Sequence, residues 1–125
     1  MEKNAMKFDF LSAAGPYSHV VEAGDFYFFS GMLPINLEKN IREMKDARKA
    51  TEVCLSNIKA ALEKLGGNME KVVKVTVYLQ DMNSFNDMNE VFKTYFPSNP
   101  PARACVAVKA IPGDFPVEIE VVALR

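Results

Sequence analysis

Lys71 to Gln80, KVVKVTVYLQ, is a run of β-branched residues with helical periodicity on either side, and this arrangement most limits the folds open to the chain. Upstream, from about Asp46 to Leu65, the residues Ala47, Ala50, Cys54, Ile58, Ala61 and Leu65 recur at intervals of three and four. Lysines and glutamates fill the intervals, and Gly66 and Gly67 supply a stop. Downstream, Phe85, Met88, Phe92 and Tyr95 repeat at the same spacing behind Asn83 or Ser84 as cap. Pro97, Pro100 and Pro101 close that second helix. A strand between two helices, each apolar along one stripe, needs neighbouring strands and one common sheet face on which both stripes can be buried.

The rest of the chain supplies those strands. Met6 to Phe10 reads as a short lead-in strand, ended by the turn residues Gly15 and Pro16. Ser18 to Ala23 and Asp25 to Ser30 read as a hairpin around Gly24. Phe26 to Phe29 is an unbroken aromatic run, which predicts a strand covered on both faces. Asn36 to Lys45 is polar and reads as loop or helix approach. After the second helix come Pro100 to Val108 and, beyond the turn at Pro112, Gly113 and Asp114, a last strand from Pro116 to Arg125. The predicted order is three strands, helix, strand, helix, two strands. This is an α+β layer with one mixed sheet and both helices on one side, in a single domain of 125 residues without an internal repeat.

One charge stands out against this frame. In PPARACVAV, Arg103 and Cys105 alternate with Ala102, Ala104 and Val106, so both point to one face, and none of their small neighbours neutralises a guanidinium. The arrangement asks for an anion, because arginine's planar fork matches a carboxylate with two parallel N–H donors. One candidate is internal: if the last two strands form a hairpin, Glu118 falls near Cys105 and Glu120 near Arg103, within a register step. The other is a bound acid. The sheet face carrying the arginine, opposite the helices, also requires cover from outside the layer.

Composition removes several classes of chemistry. Fifteen basic residues against sixteen acidic, with no block of one sign, give no footprint for nucleic acid. No apolar run has membrane-spanning length, so a soluble, unprocessed, cytoplasmic protein is expected. Cys54 and Cys105 are too few for a disulfide framework and lack metal-ligand spacing. His19 is the sole histidine and reads as a surface or loop residue, so histidine triads and multi-histidine metal sites have no material. What remains is carboxylates, hydroxyls, backbone groups and bound water.

Several separated motifs, in order, resemble one family. They are GPYS at Gly15 to Ser18, Ser30 and Gly31 followed by Pro34, LSNIKAAL through Asn57, VVKVTVYLQDMNSFNDMNEVF at Val72 to Phe92, PARACV at Pro101 to Val106, and EIE at Glu118 to Glu120. Together they are similar to the Rid family of reactive intermediate deaminases, also called YjgF-type proteins and described elsewhere as translation inhibitors or L-PSP endoribonucleases. The resemblance implies a chorismate-mutase-like α+β fold, a homotrimer and three sites in the clefts between subunits. It further implies cofactor-independent 2-iminobutanoate/2-iminopropanoate deaminase activity, a hydrolysis of C=N in small imino or enamine acids. In this sequence the family's pattern places Arg103 on the substrate carboxylate and Glu118 on the attacking water, with Tyr17, Ser30, Asn89 and Cys105 bordering the ligand. Met32, Ala50 and His19 depart from the family's commonest residues, which bears on subunit contacts and substrate preference. The alternatives are a translation inhibitor or endoribonuclease, a non-catalytic trimer that binds small carboxylates, and a structural or chaperone-like trimer.

Overall fold

The computed structural model describes residues 2–125. Its strands are β1 (Lys3–Met6), β2 (Val20–Ala23), β3 (Phe26–Phe29), β4 (Ile35–Asn36), β5 (Ile41–Arg42), β6 (Val72–Leu79), β7 (Ala102–Ala107) and β8 (Val117–Leu124). Its helices are α1 (Ala47–Lys64) and α2 (Phe85–Tyr95). Six strands form one sheet in the order β1-β2-β3-β8-β6-β7, while β4 and β5 make a separate small hairpin. Only β6 and β7 run parallel, joined by α2 as the crossover helix.

Side chains bound α1, whereas Ser84, read as a cap and lying at the start of α2, makes no side-chain capping bond. The Asp46 carboxylate accepts the Lys49 N–H at 3.1 Å and caps α1. At the other end, Gly66 adopts a φ of 83° that only glycine takes without strain, and Gly67 N–H returns to the Leu62 carbonyl at 2.8 Å. Of the stripe read from the sequence, Ala47, Ala50, Cys54, Ile58 and Ala61 are buried and Leu65 is half-buried, and Leu55 and Leu62 are fully enclosed beside them. The stripe meets Met88 and Phe92 of α2 and the inward residues Val75, Val77, Val117 and Ile119 of the central strands. Fully burying an aliphatic side chain of this size contributes about 1.5–3 kcal/mol, so this one layer dominates the stability.

Four expectations require correction. The strand at Arg103 does not form a hairpin with the one at Glu118, because β6 lies between them, pairing β8 on one side and β7 on the other. The helical crossover makes β7 parallel to β6, so β7 takes the outer edge and the connection through Pro112 to Asp114 spans β6 to reach β8. The lead-in strand is Lys3–Met6, not Met6 to Phe10, and Phe10 and Leu11 leave the sheet to fill the core. The polar stretch from Asn36 to Lys45 carries the turn and second strand of the β4–β5 hairpin, whose first strand begins at Ile35. Finally, β3 alternates: Tyr27 and Phe29 are buried under the helices, while Phe26 and Phe28 are 39% and 44% exposed on the other face. With Val106 and Leu124 they leave much of that face apolar and uncovered.

A buried polar link ties the β4–β5 hairpin to α1. Asn57 Nδ2 donates to the Ile35 carbonyl at 2.7 Å, and its Oδ1 accepts from Asn36 Nδ2 at 3.0 Å. Asn36 Oδ1 in turn accepts the Lys39 N–H at 2.9 Å. Replacing Asn57 by leucine strands a buried carbonyl and amide, and is expected to lower unfolding free energy by about 1–3 kcal/mol. Urea denaturation checks this, and an unchanged midpoint would show that the link carries no weight.

Candidate functional site

The face of each chemical group follows from the β8–β6–β7 register. Glu120 lies opposite Thr76, which lies opposite Ala104, and Glu118 lies opposite Tyr78, which lies opposite Val106. Glu118, Glu120, Thr76, Tyr78, Ala104 and Val106 therefore share the uncovered face. Arg103 and Cys105 pair with Val75 and Val77 and so point to the helix side. The expectation that the arginine sits on the uncovered face, close to Glu120, is corrected: the sheet separates the guanidinium from both glutamates.

Glu118 sits in a cleft built by the N-terminal loops. After β3 the chain stays extended beside β8, with Met32 N–H donating to the Ile119 carbonyl at 2.6 Å and Ile119 N–H returning to Met32 at 3.1 Å. This brings Gly31 onto the Glu118 side chain so closely that a Cβ at position 31 would overlap the carboxylate. Ser30 Oγ donates to the Ser18 carbonyl at 2.6 Å, holding the strand end against the GPYS turn. Tyr17, Ser30, Gly31 and Glu118 then line one cleft of about 420 Å³ with Ala14, Leu33 and Pro112, and no lysine or arginine is among these residues.

His19 underlies this wall. It lies in the loop before β2 but is buried there rather than at the surface; its Nδ1 accepts the Phe8 N–H at 2.9 Å and its Nε2 lies 2.9 Å from the Ser12 carbonyl. Those partners call for the neutral tautomer protonated at Nε2, and they leave neither nitrogen for proton transfer. The Tyr17 ring meets the His19 ring edge-on, with centroids 6.4 Å apart, so the histidine supports the tyrosine.

The carboxylates on the uncovered face are not equivalent. Burial raises the pKa of Glu118, and the neighbouring Glu120 raises it further. Glu120 is itself engaged, because Tyr78 donates its hydroxyl proton to Oε1 at 2.5 Å, a bond that contributes most to pushing the tyrosine pKa up to about 12. The sequence pairs Glu118 with Glu120 by alternation, but nothing in it signals that Tyr78 occupies the second and leaves the first to the cleft.

Arg103 has a different environment. It is half-buried against α2, with its guanidinium carbon 4.7 Å from the Phe92 ring centroid and 5.6 Å from that of Phe85. Nη1 lies 3.6 Å from Met88 Sδ. Among the described residues no carboxylate comes within 4.0 Å of it. Asn89 follows Met88 and occupies the same helical face as Phe85 and Phe92, four residues from one and three from the other. Cys105 packs against the core nearby, and burial raises its thiol pKa although Arg103 works in the opposite direction. Such a thiol is not poised as a thiolate. Cys54 is more extreme, wholly buried and donating to the Met32 carbonyl at 3.3 Å.

The six expected site residues thus form two groups within one chain. Tyr17, Ser30 and Glu118 share the cleft, while Arg103, Cys105 and Asn89 lie across the sheet from it. Among the described residues no group of three or more His, Cys, Asp or Glu is placed to hold a metal ion, and no helix is long and apolar enough to cross a membrane.

A mixed sheet with two helices on one side and a carboxylate cleft on the other defines a small α+β protein. Residues 8–125 match the family model described as Endoribonuclease L-PSP, and the chain belongs to this family, which includes the Rid and YjgF proteins. It is 44% identical over 111 residues to a RutC family protein of Pyrococcus horikoshii, an alignment covering 89% of this chain and 88% of the relative. RidA from the Antarctic bacterium Psychrobacter superposes with a TM-score of 0.90 at 34% identity, over 98% of this chain and 99% of that one. The YjgF gene product of E. coli gives 0.89 at 30% identity over 98% of each.

The raised pKa of Glu118 has a thermodynamic signature. A carboxyl group whose pKa is higher folded than unfolded contributes stability that is fully present below its unfolded value and lost as pH rises through the folded one. Glu118→Gln is therefore expected to flatten the decline in melting temperature from the ordinary carboxylate range upward, gaining on the native protein as pH increases. Parallel curves for the two proteins across that window would contradict the assignment.

Proposed function

We propose that this protein is a cofactor-independent hydrolase of small 2-imino acids and their enamine tautomers, such as 2-aminoacrylate, working as a homotrimer whose sites lie between subunits. The observation that carries this reading is the complementarity of the two groups. The cleft holds an acid or base and hydroxyls but no cation, while Arg103 is a half-buried cation without an ion-pair partner among the described residues. A second copy that brings its Arg103 to the Glu118 cleft satisfies both. The exposed Phe26, Phe28, Val106 and Leu124 supply apolar area for such an association.

In this site Arg103 grips the substrate carboxylate with two parallel N–H donors and fixes the imine carbon in the cleft. Glu118 of the neighbouring copy takes a proton from water as the oxygen adds to that carbon, then returns it to the nitrogen. From the resulting carbinolamine the same carboxylate takes the hydroxyl proton and passes it to the amine as C=O forms and the C–N bond breaks, releasing a 2-keto acid and ammonia. A carboxyl group with a raised pKa suits both halves of this transfer near neutral pH. Tyr17 walls the pocket, Ser30 with the adjoining backbone orients water or substrate, and Asn89 and Cys105 border the carboxylate end. An RNA-cleaving reading, suggested by the family's description, finds less support: the net charge is −1 and both nitrogens of the single histidine are occupied.

Coupling the protein to a lyase that releases 2-aminoacrylate should accelerate keto-acid formation, and Arg103→Ala or Arg103→Lys should remove most of that acceleration. Unaltered turnover by Arg103→Ala would overturn the reading. Sharing between copies is tested by mixing. Random reassortment of equal amounts of Arg103→Ala and Glu118→Ala leaves three quarters of trimers mixed, each with one intact site, so about a quarter of native activity should return. Recovery of none would overturn the shared site.

A further inference from the structure

We propose that Phe92, backed by Phe85 and Met88, is a positioning residue that holds Arg103 ready for a carboxylate, so that this half of the site is set by the second helix as much as by the arginine strand. The inference rests on the imino-acid reading above, and it concerns how the cation is kept available. A half-buried guanidinium can be satisfied by a carboxylate, by backbone carbonyls or by aromatic faces. The first would neutralise the charge that a substrate needs, and the second would occupy its donors. Here the third holds: the Phe92 and Phe85 rings lie 4.7 Å and 5.6 Å from the guanidinium carbon, and among the described residues its one hydrogen-bond partner is the Met88 thioether at 3.6 Å, a weak acceptor. The rings stabilise the charge, and with only Nη1 directed at the thioether among the described residues, Nε and Nη2 remain for an anion.

The support is rigid. Phe92 is 7% exposed within the main core cluster, which confines its ring, and Phe96 lies beside it with ring centroids 4.7 Å apart. Met88 is fully enclosed. Arginine is a flexible side chain, and freezing it before ligand arrives removes part of the ordering cost that binding would otherwise carry. A lysine could not use the same cradle for bidentate binding, because an ammonium has no planar fork.

Three variants separate positioning from bulk stability, with 2-oxobutanoate as the carboxylate probe. Phe92→Leu removes the ring over the guanidinium, Phe92→Tyr keeps it, and Phe96→Leu disturbs the same aromatic pair without touching Arg103. For Phe92→Leu the dissociation constant measured by calorimetry should rise about threefold to thirtyfold, the range expected for a lost cation–π contact. KM should rise in step while kcat stays within about twofold, because the Glu118 half is untouched. The Arg103 Nε–Hε resonance, displaced by the ring current in the native protein, should move toward its ordinary position. Phe92→Tyr should restore affinity and resonance, and Phe96→Leu should lower stability while preserving both. Unchanged affinity and resonance in Phe92→Leu, or equal losses in Phe96→Leu, overturns the proposal while leaving the deaminase reading intact. If Arg103→Ala binds 2-oxobutanoate as tightly as the native protein, the site reading itself fails.

Discussion

The antiparallel pairing of β6 with β8 is the constraint on which the other features depend. Along β8, Val117, Ile119, Val121 and Ala123 enter the core under the helices, and the residues between them face the other way. A slip of one residue would turn two glutamates into the core and the valines out of it, at a cost of several kcal/mol for each unpaired charge. The register is therefore strongly fixed, and with it the face on which Glu118 must appear. The same ladder sends Arg103 of β7 to the opposite side, since both strands are aligned to β6.

That separation has electrostatic value. Had the arginine and the glutamates met within one chain, they would have formed a closed pair, lowering the carboxylate pKa and consuming the guanidinium donors. Instead Glu118 is buried beside another carboxylate and its pKa rises, while Arg103 rests on aromatic faces. Each environment keeps its group in a form useful for chemistry at the expense of local stability, as functional sites commonly do. Gly31 belongs to the same arrangement, because a side chain there would displace the carboxylate from the cleft.

Local signals made much of the fold legible in the sequence. The stripe from Ala47 to Leu65 and the glycine stop bound α1 nearly to the residue, and β-branched content marks β6. What local pattern could not carry was strand order. Val106 and Val117 are close in sequence and their strands point in opposing directions, so a hairpin is the natural reading; the insertion of β6 between them is a consequence of α2 crossing over. The site was legible in composition but not in arrangement. Arg103 announces itself as an unneutralised charge, whereas its supports, Phe85, Met88 and Phe92, read only as the apolar stripe of a helix. His19 carries no pattern at all, since its role depends on the Phe8 N–H and the Ser12 carbonyl meeting it from a separate loop.

In the proposed assembly the two half-sites alter one another in a definite direction. An empty site brings the Arg103 cation toward the Glu118 carboxyl and opposes the upward shift that burial and Glu120 create. A bound substrate carboxylate neutralises that cation and removes the opposition, so Glu118 regains its elevated pKa when there is an imine to protonate. The acid arm of the site is then switched on by the feature that identifies a substrate, its own negative charge. A neutral imine of the same size would leave Arg103 uncompensated and Glu118 more firmly ionised, and would therefore be disfavoured twice, once in binding and again in proton return to the departing nitrogen.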